Sequence, residues 1–159
     1  MAATETSAMI DRLERFGRRN WNTEPGDITR LREHSLPPMG NMPPVLYANF
    51  NTFWMGENIQ VVRQLALEKA LPAPALNQMA AALLNRHAGR LAKWKLTSTV
   101  RLVRELAAYF EAGGAKNHGE VAQVCEAAMV AFDRINAWID AMIPWAHLDK
   151  KVKLLPAAG

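Results

Sequence analysis

The sequence predicts an all-α protein, an antiparallel bundle of about five helices with a Pro-rich irregular N-terminal segment. Three observations carry that expectation. Every apolar pattern of useful length recurs with a period near 3.6 residues, and none alternates as a strand would. Pro and Gly fall between those patterns rather than inside most of them. The chain has 159 residues, the size of one domain with enough buried surface to need no disulfide or metal staple.

The first helix is expected to start at Thr6-Ser7, whose hydroxyls can cap free amides. Met9, Ile10, Leu13 and Phe16 follow at helical spacing before Gly17 weakens the end. Residues 20–44 contain Pro25-Gly26, Pro37-Pro38, Gly40 and Pro43-Pro44. Proline lacks an amide proton and restrains its predecessor, so only a short helical turn from Asp27, an N-cap candidate, through Arg32 is expected there. A connection of that length is usually functional or draped over the surface.

Pro44 suits a first helical position, and Leu46, Phe50, Phe53 and Trp54 recur on one face. Beyond Gly56 the pattern resumes with Ile59, Val62, Leu65 and Ala66. The span from Val45 to Leu71 therefore reads as one helix kinked at Gly56 or as two with a tight joint. Pro72 and Pro74 end it and open the next, where Leu76, Met79, Leu83, Leu84, His87 and Leu91 form a stripe running to Lys95. The hydroxyls of Thr97, Ser98 and Thr99 mark another start, and Val100, Val103, Leu106, Ala107 and Phe110 pattern a helix stopped by Gly113-Gly114. Asn117 precedes Glu120 by three residues, as in a capping box. The last long helix is expected from His118 to Ile143, closed by Pro144. The organisation is a single domain: residues 1–43 as helix and Pro-rich loop, 44–146 as the bundle core, and 147–159 as a basic and then apolar tail.

No enzyme template fits. The four histidines, His34, His87, His118 and His147, are never spaced to place two metal ligands on one helix face. Cys125 is the single cysteine, so no intrachain disulfide forms. It lies on an apolar face, where a packed, inert thiol is expected in preference to a nucleophile. Gly113-Gly114-Ala115-Lys116 lacks the strand, spacing and hydroxyl residue of a phosphate loop. The expectations are no catalysis, no cofactor and no metal. Without an apolar run long enough to cross a bilayer or a basic-then-apolar leader, a cytoplasmic protein is the default.

Charge is where the sequence leans toward a function. The net charge is +4, yet no acidic residue occurs from Lys69 to Arg104, a stretch holding seven basic ones. The remainder is slightly acidic, and from Glu111 to Asp149 six acidic residues meet only Lys116 and Arg134. Arg86, Arg90 and Lys93 lie at i, i+4 and i+7, one stripe beside the leucines. Arg101 and Arg104 stand near the start of the following helix, whose free amides favour anions. A short antiparallel connection brings Lys93, Lys95, Arg101 and Arg104 to one end. Such an array suits a nucleic-acid backbone, read without regard to sequence. Trp94 can stack on a base or cover the stem of Arg90. The bland alternative is a solvated helix face, and a third is an anionic protein surface, including the acidic last helix of a second copy.

The stretch Leu96-Thr97-x-x-Val100-Arg101-x-Val103, with Ala107-Ala108-Tyr109-Phe110 ahead of Gly113-Gly114, resembles segments of the small helical subunits of multisubunit CRISPR effector complexes. The resemblance covers about 20 residues. It implies a basic all-α subunit of an antiviral RNA-binding particle that stacks along a guide–target duplex and catalyses nothing.

The competing expectation is a protein–protein adaptor or accessory subunit without nucleic acid. Its support is an apolar excess at Phe50, Phe53, Trp54 and Met55, and again at Trp138, Ile139, Met142 and Trp145. Core packing explains most such aromatics, but interfaces are enriched in them as well. Phe53, Trp54, Trp138 and Trp145 are the candidate contact residues.

Overall fold

A computed structural model describes residues 4–18, 44–92 and 97–142, with side chains for 4–18, 52–92 and 97–137. These residues form five helices: α1 (Glu5–Gly17), α2 (Pro44–Leu67), α3 (Ala73–Ala92), α4 (Thr97–Glu111) and α5 (His118–Met142). Among the described residues no strand occurs. The turn expected from Asp27 and the C-terminal tail lie outside the described residues.

The helices pack in a closed order. α1 lies on α5, α5 on α2, α2 on α3 and α3 on α4, while α4 returns to touch α1. The connections from α2 to α3 and from α3 to α4 are short, which forces both pairs to run antiparallel. α3 and α5 make only limited contact.

The buried positions follow the helical period. On α4 they are Thr99, Leu102, Val103, Leu106, Ala107 and Phe110, spaced i, i+3, i+4, i+7, i+8 and i+11. On α3 alanines at 73, 80, 81 and 88 separate Leu76, Leu84 and Leu91, and such small residues let neighbouring helices approach closely. Met9, Leu13 and Phe16 of α1 belong to the same core as Met55, Ile59, Val62, Phe110, Val121, Phe132 and Ile135. Each fully buried leucine or phenylalanine stabilises the fold by about 1.5–3 kcal/mol. α1 is thus an integral wall of the bundle.

Two boundaries differ from expectation. α1 begins two to three residues early, because Thr4 is the N-cap and accepts a hydrogen bond from the Ser7 amide at 3.0 Å. That leaves Thr6 inside the first turn, buried, with its hydroxyl turned to the core. α2 runs through Gly56 as one helix and stops at Leu67, four residues short of Leu71. Its stop is a left-handed residue, Lys69 (φ 52°), with the amides of Lys69 and Ala70 bonded to the carbonyls of Ala66 and Leu65. This is the hydrogen-bond pattern of a glycine C-cap, built on a lysine. α3 is described from Ala73 to Ala92, and the expected continuation to Lys95 lies outside the described residues.

The turn between α4 and α5 carries the same cap with its usual residue. Gly113 is left-handed (φ 70°), and the amides of Gly113 and Gly114 bond to the carbonyls of Phe110 and Tyr109. At Gly114 a side chain has no room, since a Cβ would stand 2.7 Å from the Tyr109 carbonyl oxygen and collide with its ring. Asn117 caps α5 by accepting from the Glu120 amide at 2.9 Å. Glu120 does not close the reciprocal half of a capping box. Its Oε1 instead accepts from the Lys116 amide at 3.0 Å and from the Thr6 hydroxyl at 2.7 Å.

Candidate nucleic-acid interface

The basic residues of α3 and α4 reach the surface because the leucines and alanines beside them take the core. Arg86 and Arg90 are exposed on α3, and Arg101 and Arg104 are exposed on α4. Four residues of helix separate Arg86 from Arg90, a rise of about 6 Å. Because α3 and α4 pack antiparallel, the C-terminal half of α3 lies beside the N-terminal half of α4. All four arginines therefore sit toward the same end of the pair. Lys93, Trp94 and Lys95 lie outside the described residues.

None of these four guanidinium groups meets a described carboxylate. Arg12, Arg15, Arg18 and Arg63, by contrast, each lie within 4.0 Å of one. The local cause is the absence of acid on α3 and the commitment of Glu105 on α4. Glu105 stands at i+4 from Arg101, where it is the natural helical partner. Its Oε2 lies instead 3.0 Å from Nε of Arg12 on α1.

His87 lies beneath the arginines, buried between α3 and α2. Its Nε2 shares a 2.9 Å hydrogen bond with the Asn58 side chain, and Nδ1 is buried without a described partner. Burial, then the charges of Arg90 and Arg86, push its pKa down from 6.5 to about 4. The ring is neutral at pH 7 and adds no charge to the face.

The expected hydroxyl-rich start of α4 is only partly exposed. Thr99 is buried, while Thr97 is exposed. Cys125 is fully buried, and burial raises its thiol pKa to about 12 against the opposing pull of Arg63. At neutral pH it is a packed thiol rather than a thiolate. Among the described residues no group of three or more His, Cys, Asp or Glu side chains could hold a metal ion. Among them, too, no helix is long and apolar enough to cross a membrane.

A second set of exposed groups is apolar. Phe53 and Trp54, edge to face at 5.5 Å between ring centroids, are 46% and 54% exposed. They do not continue the core face of α2, which is Thr52, Met55, Ile59, Val62 and Ala66. Two grooves flank Val130 of α5, itself 56% exposed. One, of about 560 Å³, lies between α1 and α5 over Ile10, Leu13, Ala127 and Ala131. The other, of about 300 Å³, lies between α2 and α5 over Phe53, Met129 and Phe132, with Glu57 and Asp133 at its edge. Trp138 is on α5, but its side chain lies outside the described residues, as does all of Trp145.

Sequence reasoning missed Arg12, Glu105 and Val130. Val130 was legible, because it stands two residues from both Ala128 and Phe132 and so falls off the apolar stripe. The Arg12–Glu105 pair spans 93 residues, and nothing local announces it. No protein-family model, curated protein or solved structure matches the chain.

Proposed function

We propose that the chain is a non-catalytic helical subunit that binds nucleic-acid backbone, without sequence preference, through Arg86, Arg90, Arg101 and Arg104. The observation that carries this reading is that all four guanidinium groups are exposed and none meets a described carboxylate. Unneutralised arginines in an array are what phosphates at regular spacing require, because each contact releases condensed counterions. The resemblance of the 96–114 segment to CRISPR small subunits supports the same reading and would put the backbone in a guide–target duplex.

The test is retardation of unrelated single- and double-stranded oligonucleotides by the purified protein at two salt concentrations. Affinity is expected to fall steeply with salt. The double variant Arg90→Ala, Arg101→Ala is expected to weaken binding equally for all sequences and to reduce the salt slope by about one unit per lost contact. Equal binding by wild type and double variant at low salt overturns the proposal.

A second reading rests on the exposed Phe53, Trp54 and Val130 and the grooves beside them, which suit a protein partner. An adaptor working through that surface alone gives the opposite result in the same experiment, with no oligonucleotide retarded at either salt concentration.

A further inference from the structure

We infer that Arg12 of α1 is a positioning residue for the basic face, keeping Arg101 available to phosphate by holding Glu105 away from it. The inference rests on the backbone-binding reading above and adds α1 to that site.

Glu105 is the acidic residue nearest the arginines of α4, one residue after Arg104 and one helical turn after Arg101. On a helix, side chains at i and i+4 are neighbours, so Arg101 and Glu105 would pair if nothing intervened. A carboxylate in that place would neutralise one guanidinium and repel an approaching phosphate. The fold intervenes through α1. Nε of Arg12 donates to Oε2 of Glu105 at 3.0 Å, and the Arg12 guanidinium carbon stands 5.6 Å from the ring centroid of Phe16. Phe16 is 1% exposed and belongs to the core. The cation that captures Glu105 is therefore held by a ring fixed in the bundle. Arg101 keeps its guanidinium donors free because Glu105 bonds across to α1.

Five proteins test this on one mixed-sequence duplex oligonucleotide: wild type, Arg12→Gln, Arg12→Lys, Glu105→Gln and the double variant Arg12→Gln, Glu105→Gln, each titrated across a salt series. Arg12→Gln is expected to weaken binding several-fold and to lower the salt slope by about one, as Glu105 turns back to Arg101. Glu105→Gln is expected to bind at least as tightly as wild type, and the double variant to bind like Glu105→Gln. Arg12→Lys, which retains a cation for Glu105, is expected to restore most of the affinity. The inference is overturned if Arg12→Gln costs the same affinity in both backgrounds, since Arg12 would then contact phosphate itself. It is also overturned if Arg12→Gln changes nothing in either. In both cases wild type still binds, so backbone binding survives. If wild type retards no oligonucleotide at any salt concentration, the backbone reading fails and takes this inference with it.

Discussion

The two ends of the α3/α4 pair use their polar groups in opposite ways. At the end where α3 begins and α4 stops, polar side chains bond to one another and to backbone carbonyls of neighbouring elements. Thr6 donates to Glu120, Tyr109 donates its hydroxyl to Thr6 at 2.8 Å, and Asn77 donates to the carbonyls of Ala73 and Ala115 at 2.9 Å each. His118 reaches the Leu71 carbonyl at 2.8 Å. The Lys116 amide and the Thr6 hydroxyl hold the Glu120 carboxyl below its usual pKa, and burial holds the Tyr109 phenol above its own. At the other end Arg86, Arg90, Arg101 and Arg104 point outward with no described carboxylate beside them. Polar groups answered within the molecule specify a fold, since leaving a buried one such as Thr6 or Asn77 unmet costs about 1–3 kcal/mol. Polar groups left open at the surface contribute little to the fold and are available to a partner.

The largest expected effect on stability probes the boundary between these ends. His87 is buried under the arginines with its pKa lowered from 6.5 to about 4. In that window the unfolded chain binds a proton that the native chain refuses, so stability falls as the pH drops from 6.5 toward 4. The contribution is whole above pH 6.5, and its loss amounts to about 3 kcal/mol at pH 4 and below. Chemical denaturation of wild type and His87→Leu across pH 4–7 isolates it. The variant should lack this part of the slope, and parallel curves would mean that His87 titrates normally.

The next effect breaks the bonded end. Gly114→Ala places a methyl group against the Tyr109 carbonyl and ring, and overpacking of this kind costs about 1–3 kcal/mol. The Tyr109 ring should shift as well, which tyrosine fluorescence or a ring NMR signal would register beside the denaturation midpoint. A variant as stable as wild type would show that the turn yields without cost.

Smaller, and opposite in sign, is Lys69→Gly. Lys69 holds the left-handed position that Gly113 holds at the other cap. A non-glycine residue there carries a strain of about 1 kcal/mol, so the glycine variant should melt higher despite its looser unfolded chain. An unchanged or lower melting temperature would show that the lysine side chain compensates. Smallest of all is the effect of Arg90→Ala and Arg101→Ala on stability, expected within about 0.5 kcal/mol each. A large loss there would remove the contrast between the two ends.

Helix number, helix faces and the charge division were legible because they depend on residue spacing, which the backbone period converts directly into faces. Gly113-Gly114 as a stop, Asn117 as a cap and Cys125 as a packed thiol belong to the same class. Phe53 and Trp54 were ambiguous, since an aromatic at helical spacing reads alike whether it meets a neighbour or solvent. Thr6 and Ser7 both suit a cap locally, because Ser and Thr hydroxyls bond nearby amides in many helix starts; the buried role of Thr6 is set elsewhere. Its partners, Tyr109 and Glu120, come from more than 100 residues away.

By itself, then, the sequence determined an all-α bundle, its core faces and a basic segment without acid between Lys69 and Arg104. Only the tertiary structure decided which charges stay open. Arg101 and Glu105 are helical neighbours in any reading of α4, and local rules pair them. Packing α1 against α4 and α5 gave Glu105 to Arg12 instead. The reason is physical: a carboxylate satisfies the cation that rigid neighbours hold closest, and which neighbours those are is settled by long-range packing.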